Sequence, residues 1–238
     1  MTLPYLEAPP PSLMSRAVDA IRNFFSFKRS RNVSWKTMAF MQGLDVSCYQ
    51  PTVHWPKVKR DGSCRFVYVR AMAGTWQDPL CAQHVAGAMA ADIDTGVYIY
   101  WKPDMDQEKA AEKFANIVRY LGCTLPPAVD VEDLGGLSPS DVLVALARFL
   151  KRLESFGYSP IIYTFPYFIP VWPSGFKGYK LWIAHYGVDV PKIPSPWKDW
   201  LFWQYIGDKG NVPGVLGPCD QNACSLDSLD SIRQDMDK

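Results

Sequence analysis

The 238-residue chain is short of the residues that most readily announce chemistry. It has three histidines, His54, His84 and His185, and their spacing builds no site. His54 and His84 fall on expected helices and His185 follows an expected strand, so all three read as surface or rim residues. No Ser-His-Asp order stands in a convincing context, and no Gly-rich phosphate cradle leads a strand into a helix. Six cysteines, Cys48, Cys64, Cys81, Cys123, Cys219 and Cys224, include no C-x-x-C pair, so no metal site is expected. A chain this long does not need disulfides, and free, mostly buried thiols are the expectation. Cys48 reads as a structural thiol rather than a nucleophile. Charge of one sign is also missing: 25 basic against 24 acidic residues give a net +1, which argues for no nucleic-acid partner and no acidic substrate. No apolar run is long enough to cross a bilayer as a helix. The start, Met1 to Glu7, lacks the basic-then-apolar pattern of a secretory signal. A target outside the membrane would then need another agent to deliver the protein.

What is abundant is hydrophobic and aromatic. Nearly half the residues are hydrophobic, and 14% are aromatic, including nine tryptophans. Core packing accounts for most of these; a groove that stacks sugar rings would account for some, and composition leaves both open. Residues 1–38 read as an extension. Pro9-Pro10-Pro11 is a stiff spacer. Met14, Ala17, Val18, Ile21, Phe24 and Phe25 then recur at helical spacing among basic residues. This stretch, within residues 13–31, either packs on the main domain or touches an anionic membrane or wall.

From Gly43 strands and helices alternate. Strands are expected at Gly43–Ser47, Phe66–Arg70, Gly96–Tyr100, Pro127–Val131 and Pro160–Thr164. Helices are expected over Cys81–Asp94, from about Asp106, and from Ser138-Pro139, a capping residue with a first-turn proline. Two further strands, Leu181–Ala184 and Leu201–Tyr205, are joined by Pro-rich loops without helices. The fold class is therefore α/β: an irregular TIM-like (β/α) barrel over residues 39–224 with helices missing in its second half, preceded by the N-terminal helical extension and followed by a polar tail, 225–238, that ends as a short helix or frays.

Acids fall where such a barrel builds its sites. Asp45 ends the first strand, Asp130 and Glu132 the fourth, and Asp220 is expected in a loop after the last. The C-terminal rim of an α/β barrel carries its chemistry. Residues two apart on a strand share a face, so Asp130 and Glu132 point together while Val131 points into the other layer. Two carboxyls on one face push their pKa values apart, the division of labour that glycoside cleavage needs. A lone strand-end Asp is more often a turn former or helix cap, and Asp133 is read that way. A D-x-E triplet alone is weak; acids at three separate strand ends weigh more, without naming a substrate.

These residues resemble glycoside hydrolase family 25, the lysozymes of bacteria, phages and some fungi. Gly43-Leu44-Asp45-Val46-Ser47 with Tyr49-Gln50 and Trp55 resembles the family's first strand. Phe66 to Gly74 with Asp78-Pro79, Gly96-Val97-Tyr98, Pro127 to Glu132, Leu181 to Ala184 with Tyr186, Trp203-Gln204-Tyr205, Val212-Pro213-Gly214 and Asp220-Gln221-Asn222 follow in the family's order. The resemblance implies hydrolysis of the β-1,4 bond between N-acetylmuramic acid and N-acetylglucosamine in bacterial peptidoglycan. Glu132 would be the general acid. Asp130 would orient or charge-stabilise an attacking acetamido group, with a carboxylate nucleophile as the competing mechanism. Asp45 and Asp220 would line the same subsite, and Tyr98, Trp101, Tyr163, Trp182 and Trp203 are candidate groove walls. No metal or cofactor is implied, and a monomer is expected.

Three positions depart from the family pattern: Ala73 where an acid often precedes the glycine, Ile99 where histidine often follows the tyrosine, and Cys224 at the end of the last motif. They bear on substrate preference and rate. A chitinase-like hydrolase, and a non-catalytic wall-binding or virion structural protein on the same barrel, are the competing readings. The expected setting is a bacteriophage endolysin held in the host cytoplasm before release to the wall, or a virion-borne lysin.

Overall fold

The structure, a computed structural model, describes residues 40–225 together with Leu229 and Ile232. The expected extension over 1–38, with its stretch 13–31, lies outside the described residues. A nine-stranded sheet runs in the order β1-β9-β8-β7-β6-β5-β4-β2-β3, and β1 also pairs with β2, so eight strands close into a barrel. The strands are β1 (Phe40–Val46), β2 (Cys64–Ala73), β3 (Trp76–Gln77), β4 (Asp94–Tyr100), β5 (Ala128–Asp130), β6 (Ile161–Thr164), β7 (Lys180–Ala184), β8 (Phe202–Ile206) and β9 (Asp220–Ser225). All barrel neighbours are parallel except β9, which is antiparallel to both β8 and β1.

Four α-helices interrupt the strands: α1 (Trp55–Arg60), α2 (Cys81–Ala90), α3 (Gln107–Leu121) and α4 (Pro139–Glu154). Their ends follow local chemistry. The His54 ring accepts the Lys57 N–H at the start of α1, so His54 is a cap. Asp106 caps α3 by accepting the Lys109 N–H. Ser138 caps α4 by accepting the Asp141 N–H, with Pro139 in the first turn and Lys151 and Arg152 in the last, where cations suit the helix dipole. The expected helix Cys81–Asp94 stops at Ala90, because Asp92 takes a positive φ of 57° and turns the chain into β4. Between β6 and β9 the only helical piece is a 3-10 turn at Ser174–Gly178, which fits the expected loss of helices in the second half.

Strand alternation divides the core in two. Outward residues, among them Val67, Val69, Val97, Ile99, Val129 and Ile162, pack under the helices against Phe114, Leu146 and Phe149. Inward residues fill the barrel with aromatic rings: Phe66 stacks against Phe202 at 4.7 Å and Tyr68 against Trp182 at 4.9 Å between centroids. Gly43 and Gly96 face these rings, and a Cβ at either position would collide with Phe66 or Tyr68. Leu229 and Ile232, both helical and fully buried, pack into the same inner cluster. The folded unit therefore continues past residue 224: Ser225 ends β9, and Leu229 and Ile232 add to the inner core.

Candidate active site

Asp220 does not lie in a loop after the last strand. It opens β9, which the Gly/Pro-rich approach and short polar run concealed. Because β9 runs against its neighbours, its first residue sits at the rim where the parallel strands end. Asp220 stands directly across from Asp45 in the register. Asp130 ends β5. The ladder continues for one residue, since Val131 donates its N–H to the Tyr163 carbonyl at 2.9 Å and its own carbonyl accepts the Thr164 hydroxyl at 3.0 Å. That pins Val131 outward and delivers Glu132 to the rim beside Asp130. The mouth thus gathers Asp45, Asp130, Glu132 and Asp220, the four acids singled out from the sequence.

Their electrostatics are unequal. Asp130 is 7% exposed, and its Oδ1 is buried with no hydrogen-bond partner in the structure. Burial first, then the Glu132, Asp45 and Asp220 carboxylates, hold its carboxyl well above the usual range, against the Arg70 guanidinium. Glu132 is pushed up to about 7 by burial and by Asp45, Asp208 and Asp133, with Lys102 opposing. Asp220 is pushed up to about 10 by burial, by Asp45 and Asp208, by a hydrogen bond shared with Asp45 and by Glu132. Asp45 is raised too, by burial, although hydrogen bonds from Asn222 and Gln204 favour its ionised form. Neighbouring acids held above their ordinary values in one concave mouth are the arrangement expected of a proton-transfer site.

A hydrogen-bond frame holds the acids. Asn222 Nδ2 donates to Asp45 Oδ2 at 2.7 Å, and Gln204 Nε2 donates to Asp45 Oδ2 at 2.9 Å and to Asp220 Oδ2 at 3.2 Å. The Gln204 carbonyl oxygen accepts the Tyr163 hydroxyl at 2.8 Å and the Tyr186 hydroxyl. Trp182 Nε1 donates to Asn222 Oδ1 at 2.8 Å. Gln204, Asn222 and Tyr186 were not singled out as site residues. Gln204 carried a signal: it is the one strongly polar residue inside Leu201–Tyr205, and a buried polar residue asks for partners. Asp208, in the loop after β8, adds negative field at Asp45, Glu132 and Asp220 and was also missed.

The candidate groove walls separate into three kinds. Tyr98 and Tyr163 lie inside the barrel, with Tyr98 partly exposed. Trp182 is buried beneath them, its ring against Tyr98, Tyr163, Tyr68 and Phe202, so it supports the mouth from below. Trp101 and Trp203 are not groove walls. Trp101 is 0% exposed in the helix layer, where its ring packs on Phe149 and its Nε1 donates to Gln107 Oε1 at 2.8 Å. Trp203 points outward from β8, one residue out of phase with the inward Phe202 and Gln204, and its Nε1 donates to the His185 carbonyl at 2.8 Å.

Among the other expectations, His84 is buried on α2 rather than at the surface or rim. Asp133 forms a turn, accepting the Gly135 N–H at 2.7 Å and pairing with Lys102. The six cysteines are free thiols and all but Cys48 are buried; burial and the Asp78 carboxylate push the Cys48 thiol up, the wrong direction for a nucleophile. Among the described residues no group of His, Cys, Asp and Glu could hold a metal, and no helix is long and apolar enough to cross a membrane. Surface depressions of about 620 Å³ between α2 and α3 and about 360 Å³ at the start of β6 and β7 lie away from the acidic mouth.

Residues 44–215 match the model of glycosyl hydrolases family 25. The chain is 31% identical over 189 residues to YegX of Escherichia coli K12, covering 76% of this chain and 68% of that one. It is 30% identical over 198 residues to lysozyme M1 of Streptomyces globisporus, covering 76% and 67%. Among solved structures, the bacterial lysozyme of Streptomyces coelicolor superposes with a TM-score of 0.74 at 27% identity, over 82% of this chain and 98% of that one.

Proposed function

We propose that this chain, which belongs to glycosyl hydrolases family 25, is a muramidase that cleaves the β-1,4 bond between N-acetylmuramic acid and N-acetylglucosamine in bacterial peptidoglycan. The observation that carries the proposal is the Asp130–Glu132 pair at the barrel mouth. Glu132, held near 7, is still about half protonated at neutral pH, where an ordinary glutamate is ionised, and gives that proton to the leaving glycosidic oxygen. Asp130 offers a buried, unpartnered oxygen beside it. A donor on the substrate satisfies that oxygen: the N–H of a 2-acetamido group, whose carbonyl oxygen is thereby aimed at the anomeric carbon. Such a contact favours ionised Asp130 and so stabilises the positive charge that develops on the sugar. Asp45 and Asp220, braced by Gln204 and Asn222, line the same subsite as a hydrogen-bonded pair: Asp220, held at about 10, keeps its proton, and the negative charge falls on Asp45, whose ionised form Asn222 and Gln204 favour. Water then opens the oxazolinium-type intermediate, with Glu132 now acting as base, and the configuration is retained.

Digestion of purified peptidoglycan by the wild-type protein and by Glu132→Gln, read by mass spectrometry, tests the assignment. Fragments with muramic acid at the new reducing end, made by wild type alone, are expected. Equal fragments from both proteins would remove Glu132 from the mechanism, and, with purified chitin offered in parallel, release of chitin fragments in place of muropeptides would move the substrate.

The biological setting belongs to the same proposal: a phage endolysin or virion-borne lysin acting as a monomer, with the basic stretch at residues 13–31 assisting contact with an anionic wall or membrane. The excess of arginine and lysine in that stretch supports this. Removal of residues 1–38 is expected to lower activity on whole cells more than on purified wall.

A further inference from the structure

We infer that Tyr49 and Trp76 form a second sugar platform on the lip of the barrel, which takes a unit of the glycan strand beyond those at the scissile bond. This rests on the muramidase reading above. β1 ends where Val46 pairs with Val69, but β2 continues, and β3 takes over as its neighbour by pairing Met72 with Gln77 and Ala73 with Trp76. The hairpin therefore stands above the rim on the side of β1 and β2. Both of its residues in β3 are exposed. Across from it lies the turn that follows β1, which carries Tyr49.

These two rings are not explained by packing. Tyr49 is 64% exposed and Trp76 49%. Trp76 is the only exposed tryptophan among the described residues; the others are buried or half-buried. Two aromatic rings gathered on one cation make a local exposed patch rather than scattered apolar surface, and such patches mark binding sites. The rings are also held rather than loose. The Arg70 guanidinium lies 5.0 Å from the Tyr49 ring centroid and 5.9 Å from that of Trp76, so one cation fastens both. Arg70 is itself fixed by Asp78, to whose Oδ2 its Nε donates at 3.0 Å, and the same Asp78 oxygen accepts the Cys48 N–H at 3.0 Å. The Tyr49 N–H donates to Ser47 Oγ at 3.2 Å. A platform built this way loses little freedom on binding.

Arg70 also ties the platform to the mouth. Arg70 stands directly across from Tyr98 in the register of β2 and β4, and β4 in turn sets Tyr100 across from Asp130, so the two rings and the acid pair share one side of the barrel opening. Strand spacing puts β2 roughly 10 Å from β5, two strands over. A strand of sugars lying across Asp130 and Glu132 thus passes the platform beyond the reacting pair. The apolar faces of pyranose rings suit aromatic faces, and the fixed cation suits the lactyl or stem-peptide carboxylate of muramic acid.

The test uses the full chain carrying Glu132→Gln, which binds without turnover, and glycan strands of defined length freed of stem peptides. Calorimetry with an octasaccharide and with the disaccharide gives the length dependence. Adding Tyr49→Ala and Trp76→Ala is expected to weaken octasaccharide binding by about ten-fold or more. The disaccharide should lose far less. Trp76→Phe should retain most of the octasaccharide affinity, and Trp76→Leu, which keeps bulk without a ring, should not. Octasaccharide affinity in the double variant within two-fold of its parent, with an unchanged melting curve, would overturn the platform and leave the muramidase reading standing. Failure of the Glu132→Gln parent itself to bind any glycan would overturn both.

Discussion

The two halves of the barrel solve the same packing problem differently. From β1 to β6 the outer face of the sheet is covered by helices, with Phe114, Leu146, Phe149 and Leu150 pressed onto Val97, Ile99, Val129 and Ile162. From β7 to β9 there is no helix, and the outer face is covered by aromatic loops: Trp172 packs edge-to-face on Trp197 at 5.0 Å and on Phe176 at 5.4 Å, and Trp200 on Trp203 at 6.1 Å. Aromatic rings stand in for helices because each buries a large area per residue ordered. This accounts for Trp172, Trp197, Trp200 and Trp203, half of the tryptophans among the described residues. The chemistry divides along the same line. The helical half delivers Asp130 and Glu132, while the helix-poor half delivers Asp220 and the frame of Gln204, Asn222 and Tyr186. The reacting groups come from one half and the groups that hold them from both.

The comparison predicts unequal losses. Removing the acid should cost most: Glu132→Gln should lower kcat/KM on peptidoglycan by about 10³-fold, within the usual range for a general acid. In the wild type, activity should fall as pH rises through about 7, where Glu132 gives up its proton. The alkaline limb of kcat/KM against pH checks this, and an activity that holds to pH 9 would contradict it. Removing the frame should cost less in rate but more in stability. Gln204→Ala leaves the hydroxyls of Tyr163 and Tyr186 and the Asp45 carboxylate without a shared partner in a buried place. A drop of about 10²-fold in kcat/KM is expected from misplacement, with Tm lower by roughly 5 °C from unsatisfied polar groups. Loss of stability with full activity would mean the frame does not position the acids.

The same division governs what could be read from the chain. The helical half is legible because its signals are local: the Ser138-Pro139 cap, the helix start near Asp106, amphipathic faces in α3 and α4, and apolar strands ending in acids. The helix-poor half was legible as strands and loops but not as a closure. β9 is short, begins at a polar run and pairs in the opposite sense, so Asp220 was placed in a loop though the register sets it across from Asp45. Trp101 and Trp203 read as groove walls from the sequence because residue type alone does not say which layer a ring enters. One residue of strand phase puts Trp203 outside, and the same alternation, carried one residue past β4 by the Trp101 N–H to the Asp130 carbonyl, puts Trp101 in the outer layer against Phe149. Gln204 was visible as a motif residue, but the partners that make it a frame are brought by other strands.

A finer test keeps the acid and changes its surroundings. Lys102 lies on the helical side, paired with Asp133, and its positive charge is what opposes the upward push on Glu132. Lys102→Met removes that charge and frees the Asp133 carboxylate, which pushes the same way. Both changes disfavour ionised Glu132, so the alkaline limb should move above about 7, and the rate at pH 8 relative to pH 6 should rise a few-fold. A limb that moved downward or stayed in place would show that Lys102 does not act on the reacting acid.

The smallest effect concerns stability and the helix-poor side. Asp220 is held at about 10 in the folded chain, against about 3.9 for an aspartate in an unfolded one. The folded state therefore binds more protons than the unfolded state between these values. Its contribution to stability is fully present below about 4 and is lost as pH rises toward 10, so a neutral Asp220 favours the fold and an ionised one opposes it. Asp220→Asn cannot ionise and retains a donor for the hydrogen bond to Asp45. Its Tm should lie closest to wild type at pH 5 and exceed it progressively as pH rises to 9. Parallel melting temperatures across that range would mean that Asp220 shares its proton with Asp45 so completely that removing one member leaves the pH dependence of the pair unchanged. The matching variant Asp45→Asn would then have to carry the same slope. A site that trades stability for chemistry should show the opposite pattern in rate, with Asp220→Asn the more stable protein at high pH and the slower enzyme at its optimum.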